Sequence, residues 1–157
     1  LDLQPLQFDE IIQISKYGQS MIGSYKLFKI INDPRNISLT LSLSDQFGNQ
    51  GTIGLIIGSA KNNSTLFIDS FLLSCRALGR GAEKVLWYVF IQQAIKKNIT
   101  NIKAEYICTQ KNSQVSELFD SLGMNCINKN KTNTLYKLSL PLRIKKPNWI
   151  KIVMNTK

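Results

Sequence analysis

The chain predicts an α+β domain, a mixed sheet with helices packed on it, and three observations predict it. Residues 37–43 alternate strictly between apolar and polar, which marks a half-buried strand. A nearly all-apolar run over residues 65–73 leads through a loop rich in glycine and arginine into an amphipathic stretch. A further strand, a short helix and two closing strands follow, and that order gives helices layered on a sheet.

Each element has its own signal. Phe8, Ile11, Ile12 and Ile14 suggest a short helix or turn, and Tyr25 to Ile31 is rich in β-formers. Asp33-Pro34-Arg35-Asn36 has turn composition and precedes the alternating strand. A glycine-containing loop over 47–51 joins it to a strand from Thr52 to Ser59, an antiparallel pair by economy. Thr65 to Leu73 holds one acid, Asp69, among apolar neighbours and reads as a central strand buried on both faces. The helix that follows, about Ala82 to Lys97, sets Val85, Leu86, Val89, Phe90 and Ala94 on one face. Ile102 to Cys108 is the next strand, and Asn112 to Leu122 a helix that Gly123 stops. Asn125 to Ile127 and Thr134 to Leu140 form the closing pair, before a basic tail over 141–157.

At 157 residues the chain suits one domain, with residues 25–140 as its core. No apolar run approaches the roughly 20 residues of a membrane span, and the start lacks a secretory signal. The missing initiator Met reads as excision from a longer protein. Three cysteines without metal-type spacing, and no histidine, argue against a zinc site or a disulfide framework and favour a reducing cytoplasm. The lack of histidine also removes Ser-His-Asp and Cys-His catalysis. The net charge of +10 asks for a polyanionic partner, although an AT-rich genome explains much of the lysine equally well. Basic and aromatic residues do not interleave along a strand, so nucleic acid is disfavoured as that partner.

The informative motif is Arg76-x-x-Gly79-x-Gly81, set between a strand and a helix. A phosphate needs open backbone N–H groups, and a helix N-terminus supplies them with a favourable dipole. Glycine permits the close approach, while Arg76 and Arg80 add donors and charge. A tight strand-to-helix turn without a ligand is the plain alternative.

This loop resembles the R/Q-x-x-G-x-G/A signature of the GNAT acyltransferase superfamily, and the order of elements over 25–140 is similar to that fold, a mostly antiparallel sheet with helices on both faces. The resemblance implies coenzyme A or acyl-CoA as cofactor and no metal. It implies a pyrophosphate held by Arg76, Gly79, Arg80, Gly81 and Ala82, a pantetheine arm along Phe71 and Leu73, and a contribution from Asn112. The tyrosine that often serves that family as acid is replaced here by Phe119. A narrower likeness joins Ile68 to Glu83, Ser44 to Gly51 and Thr109 to Asn112 to the FkbH-like proteins of polyketide biosynthesis. It implies transfer of a glyceryl or related three-carbon unit to the phosphopantetheine thiol of an acyl carrier protein, beside a phosphatase-like domain of the same synthase. The chain has no D-x-D phosphatase motif, so the likeness covers only the C-terminal half of such proteins. An acetyl-CoA-dependent N-acetyltransferase and a non-catalytic carrier-docking domain are the alternatives.

Three residues are the catalytic candidates. Cys75 lies beside the glycine loop, where a helix N-terminus and Arg76 favour a thiolate able to relay an acyl group. Asp69 sits in an apolar strand as a base or as a buried partner for a donor. Tyr106 either faces the acyl cleft or simply packs. Cys108 and Cys126 are expected in the core.

Overall fold

The computed structural model describes residues 11–16, 32–45, 48–110 and 112–155. The strands are β1 (Ile11–Lys16), β2 (Ile37–Asp45), β3 (Gly48–Asn62), β4 (Thr65–Leu73), β5 (Asn101–Ile107), β6 (Asn125–Lys129), β7 (Asn133–Ser139) and β8 (Lys151–Asn155). Helix α1 (Ala82–Lys96) joins β4 to β5; a single 3-10 turn (Ser113–Val115) and the short α2 (Leu118–Ser121) join β5 to β6. All eight strands form one sheet in the order β6-β7-β5-β4-β3-β2-β1-β8. β4 pairs parallel with β5, and β1 parallel with β8; the other neighbours are antiparallel.

The alternation of β2 does what its pattern requires: Ile37, Leu39, Leu41 and Leu43 are buried while Ser38, Thr40, Ser42 and Ser44 are only half-buried. The buried set faces α1, whose Val85, Leu86, Val89, Phe90 and Ala94 are buried as their spacing predicts. Trp87 and Ile91 are buried as well, so α1 is covered on more than one side. Close contact with the sheet depends on Gly58 of β3, where a Cβ would stand 2.6 Å from the Phe90 ring.

The second cover of α1 is the segment after β7. It runs back beside α1, where Pro141 to Lys145 border a groove with Gln92 and Ile95. Trp149 then lies against Gly81, just ahead of the helix, and β8 joins the sheet edge beside β1. Residues 141–155, expected as a basic tail, are therefore a strap and an edge strand; Pro147 and Ile150 are buried in it.

Other expectations are corrected. Residues 11–16 form a strand rather than a helix or turn, because β2 and β8 supply pairing on both sides. The helix expected over 112–122 is broken into a 3-10 turn and one α-turn. The β-rich stretch Tyr25 to Ile31 lies outside the described residues. Among the described residues, no helix is long and apolar enough to cross a membrane.

Candidate functional site

The site begins where two strands part. β4 and β5 pair only from Thr65↔Asn101 to Ile68↔Ala104, yet β4 continues to Leu73 and β5 to Ile107. Beyond that point each strand keeps its outer neighbour: β4 stays on β3 to Gly54↔Leu73, and β5 stays on β7 to Ile107↔Asn133. The two strands open as a fork, and their facing backbone edges carry no ladder hydrogen bonds to each other. A bulge sits at the fork, since Ile57 pairs with Ser70 and Gly58 with Ile68, leaving Asp69 as the extra residue. A bulge bends its strand and sharpens the local twist, which turns β4 away from β5.

Above the β4 arm is the glycine loop. Ser74 N–H bonds Ile53 O at 2.8 Å, anchoring its start, and Ala77 and Leu78 N–H turn back onto Ser74 O. Gly79 (φ 74°) and Gly81 (φ 92°) hold left-handed conformations that other residues rarely adopt, which explains both glycines. Gly81 is the N-cap of α1, its carbonyl accepting from Lys84 and Val85. Among the described residues, the N–H groups of Gly79, Gly81, Ala82 and Glu83 have no backbone acceptor. Arg76 is exposed, with one long contact of 3.5 Å to Gln50 O, and Arg80 reaches Arg76 O at 3.5 Å. An exposed cation, Arg76, beside these amides suits an anion such as a pyrophosphate.

The two faces of the fork differ. Toward α1 lie Phe71, Leu73 and Tyr106. Phe71 stacks on Trp87 with centroids 6.4 Å apart and meets Phe119 at 6.5 Å; Phe119 in turn meets Tyr136 at 5.4 Å. Trp87 Nε1 donates to Leu122 O at 3.1 Å, tying α1 to the end of α2. Phe119, in the position of the family's tyrosine, is thus a buried packing residue. Tyr106 donates its hydroxyl to Asn112 Oδ1 at 3.0 Å, and burial, then the neighbouring Cys108 thiol, push its pKa up, so it remains a phenol at neutral pH. Asn112 is engaged in closing its own loop, accepting from Thr109 N–H and donating to Ile107 O, both at 2.8 Å.

Away from α1 lie Asp69 and Glu105, the residues that follow the last pair Ile68↔Ala104. They bring two carboxylates to the throat of the fork, one on each arm. Asp69 accepts from Ser59 Oγ, and Glu105 Oε1 accepts from Asn133 Nδ2 at 2.5 Å. Asp69 was expected inside a buried strand but is exposed, because the bulge turns it out of the core and the parting of β5 uncovers it.

The expected site residues therefore divide. The loop residues Arg76, Gly79, Arg80, Gly81 and Ala82 are contiguous with Phe71 and Leu73 at the β4 arm. Tyr106 and Asn112 belong to the opposite arm and the loop beyond it. Asp69 and Tyr106 lie on opposite faces of the sheet, so they do not act as one cluster. Cys75 is exposed in the loop, and Cys108 and Cys126, expected in the core, are exposed as well: one lies beyond the end of β5 and the other on the edge strand β6. Sequence reasoning missed Glu105, whose role depends on the Ile68↔Ala104 register, and Trp149, whose ring comes within 3.5–3.8 Å of a Cβ placed on Gly81.

No family model and no curated protein matches the chain. Solved structures do match it. The ribosomal-protein-S18-alanine N-acetyltransferase of Escherichia coli has a TM-score of 0.60 at 12% identity, covering 86% of this chain and 97% of its own. An acetyltransferase of Streptococcus agalactiae 2603 has a TM-score of 0.62 at 12% identity, with 82% and 98% covered. A GNAT family acetyltransferase of Elizabethkingia anophelis with acetyl-CoA bound has a TM-score of 0.60 at 12% identity, with 84% and 99% covered. A forked β4–β5 pair feeding a glycine loop and helix, and overlap over most of these chains, make this the GNAT fold.

Proposed function

We propose that the chain is an acyl-CoA-dependent acyltransferase that holds the pantetheine arm in the fork between β4 and β5 and passes the acyl group to an amine. The observation that carries this reading is the parting of the two strands directly below the glycine loop. Unpaired strand edges suit the amides of a pantetheine arm, and the open N–H groups of Gly79, Gly81, Ala82 and Glu83, with Arg76 beside them, suit its pyrophosphate.

Coenzyme A, when bound, supplies an acyl thioester. The carboxylates of Asp69 and Glu105 attract an ammonium to the throat and take one of its protons. The acceptor nitrogen then bonds the acyl carbon while the carbon–sulfur bond breaks. The thiol of a bound coenzyme A would leave with that electron pair and the second proton that nitrogen releases.

A second reading keeps the fork and changes the donor. The phosphopantetheine arm of an acyl carrier protein is chemically the same arm, and the exposed Arg76 and Lys84 beside the loop suit an acidic carrier. The glyceryl transfer implied by the FkbH-like likeness belongs to this reading.

The test is thermal stability with coenzyme A and, separately, with a phosphopantetheinylated carrier protein. A ligand at 100 times its dissociation constant raises stability by about 2.7 kcal/mol. Arg76→Ala should weaken the binding of whichever ligand stabilises the protein about 10- to 100-fold, as for a hydrogen bond to a charged group. No shift with either ligand would overturn the arm-binding reading.

A further inference from the structure

Leu72 and Ile107 are 60% and 54% exposed, and with Ile127, also 54%, they lead the exposed large apolar side chains among the described residues. Such residues scattered singly need no explanation. Ile127 stands alone on the edge strand β6, but Leu72 and Ile107 are not scattered, for each lies near the free end of one arm of the fork. Leu72 pairs with Leu55 of β3, and Ile107 with Asn133 of β7. Alternation puts Leu72 on the face away from α1, since its neighbours Phe71 and Leu73 face α1. Likewise Ile107 shares the face of Glu105, two residues before it, while Tyr106 faces α1. The face that bears two carboxylates at its throat thus bears two large apolar side chains at its lips.

We infer that the acceptor is a primary amine carried on an apolar group, its ammonium drawn to Asp69 and Glu105 and its hydrocarbon seated between Leu72 and Ile107. The inference rests on the acyltransferase reading above and names its acceptor. A polyamine or a lysine-rich segment would put further charges against the two apolar lips, where they lose hydration without a partner. An alkylamine, an arylalkylamine or a peptide with an apolar N-terminal residue matches both parts of the face.

The experiment uses the whole chain, acetyl-CoA and a series of straight alkylamines of increasing length, with spermidine as the polycationic comparison. Each methylene taken fully out of water should raise kcat/KM about fourfold until the lips are passed. Leu72→Ser with Ile107→Ser should flatten that rise, with KM for the longer amines increasing and kcat unchanged, whereas Leu72→Met with Ile107→Val should keep it. Met154→Ser serves as the control, since Met154 is 41% exposed on β8 beyond the opposite edge of the sheet; it should change nothing. Stabilisation by coenzyme A, measured on every variant, separates the two ideas. Binding of coenzyme A with rates independent of chain length, or with spermidine preferred, would overturn the inference and leave the cofactor reading standing. Loss of a dimer in the double serine variant, seen by sedimentation, would also overturn it, because the lips would then meet a second copy. Absence of coenzyme A binding in the parent protein would overturn both.

Discussion

From Thr65 to Ile68, strand β4 is bonded to β5, and its inward residues Leu66 and Ile68 are buried; from Asp69 to Leu73 the same strand has left β5, its inward Phe71 and Leu73 are only half-buried, and its outward face carries an exposed carboxylate and an exposed leucine. β5 repeats the contrast on its helix-facing side, with Ile102 and Ala104 buried in the closed half and Tyr106 only half-buried in the open half. In the closed half the backbone is satisfied by its neighbour, so side chains are chosen for packing. In the open half the facing backbone edges carry no ladder bonds to each other, and polar and apolar groups stand where a packed sheet would not tolerate them. A single residue, the bulged Asp69, separates the two regimes.

The largest effect is expected from the throat of the open half. Asp69→Asn combined with Glu105→Gln keeps the acceptors for Ser59 and Asn133 but removes both negative charges. The rate of acyl transfer to an amine should fall about 10²- to 10⁴-fold, with melting temperature nearly unchanged. An unaltered rate in a kcat/KM assay would reduce the open half to a binding surface.

Next comes a direct exchange of roles between the halves. Ile68→Ala, in the closed half, should cost about 2–5 kcal/mol in chemical denaturation, since the side chain is only 5% exposed. Leu72→Ser, four residues on, should stay within about 0.5 kcal/mol. Equal losses at the two positions would mean that the fork is packed shut.

The smallest effect concerns the base of the fork on the helix face. Tyr136 is buried and donates its hydroxyl to Asp120 Oδ2 at 2.7 Å. Burial, followed by that carboxylate, raises its pKa well above the ordinary 10.0. The unfolded phenol therefore ionises first, and stability present below pH 10 should be lost as pH rises beyond it. Denaturation midpoints for Tyr136→Phe, taken across that alkaline range, should show a shallower decline than the parent; identical slopes would place the alkaline sensitivity elsewhere.

Much of this was legible in the chain and some was not. The alternation of residues 37–43, the apolar face of α1 and the glycine loop are local patterns, and the structure keeps all three. Asp69 was misjudged because an apolar neighbourhood in sequence looks like burial, whereas a bulge, a property of the pairing with β3, turns it outward. Glu105 carried no signal, since a lone acid on a strand acquires meaning only when the register ends at Ile68↔Ala104 and leaves Asp69 and Glu105 as the next residue on each arm. Residues 141–155 read as a tail because the partners they pack on, Gly81 and the edge of β1, are far away in the chain.

The sequence by itself determined the alternating strand β2, the helix α1 and the place of the glycine loop between strand and helix, because periodicity, glycine content and capping act over a few residues. Only the tertiary structure decided where β4 and β5 part, which face each carboxylate takes and what covers α1. Those depend on strand register and on contacts between residues distant in the chain, where a shift of one position moves a side chain to the other face of the sheet.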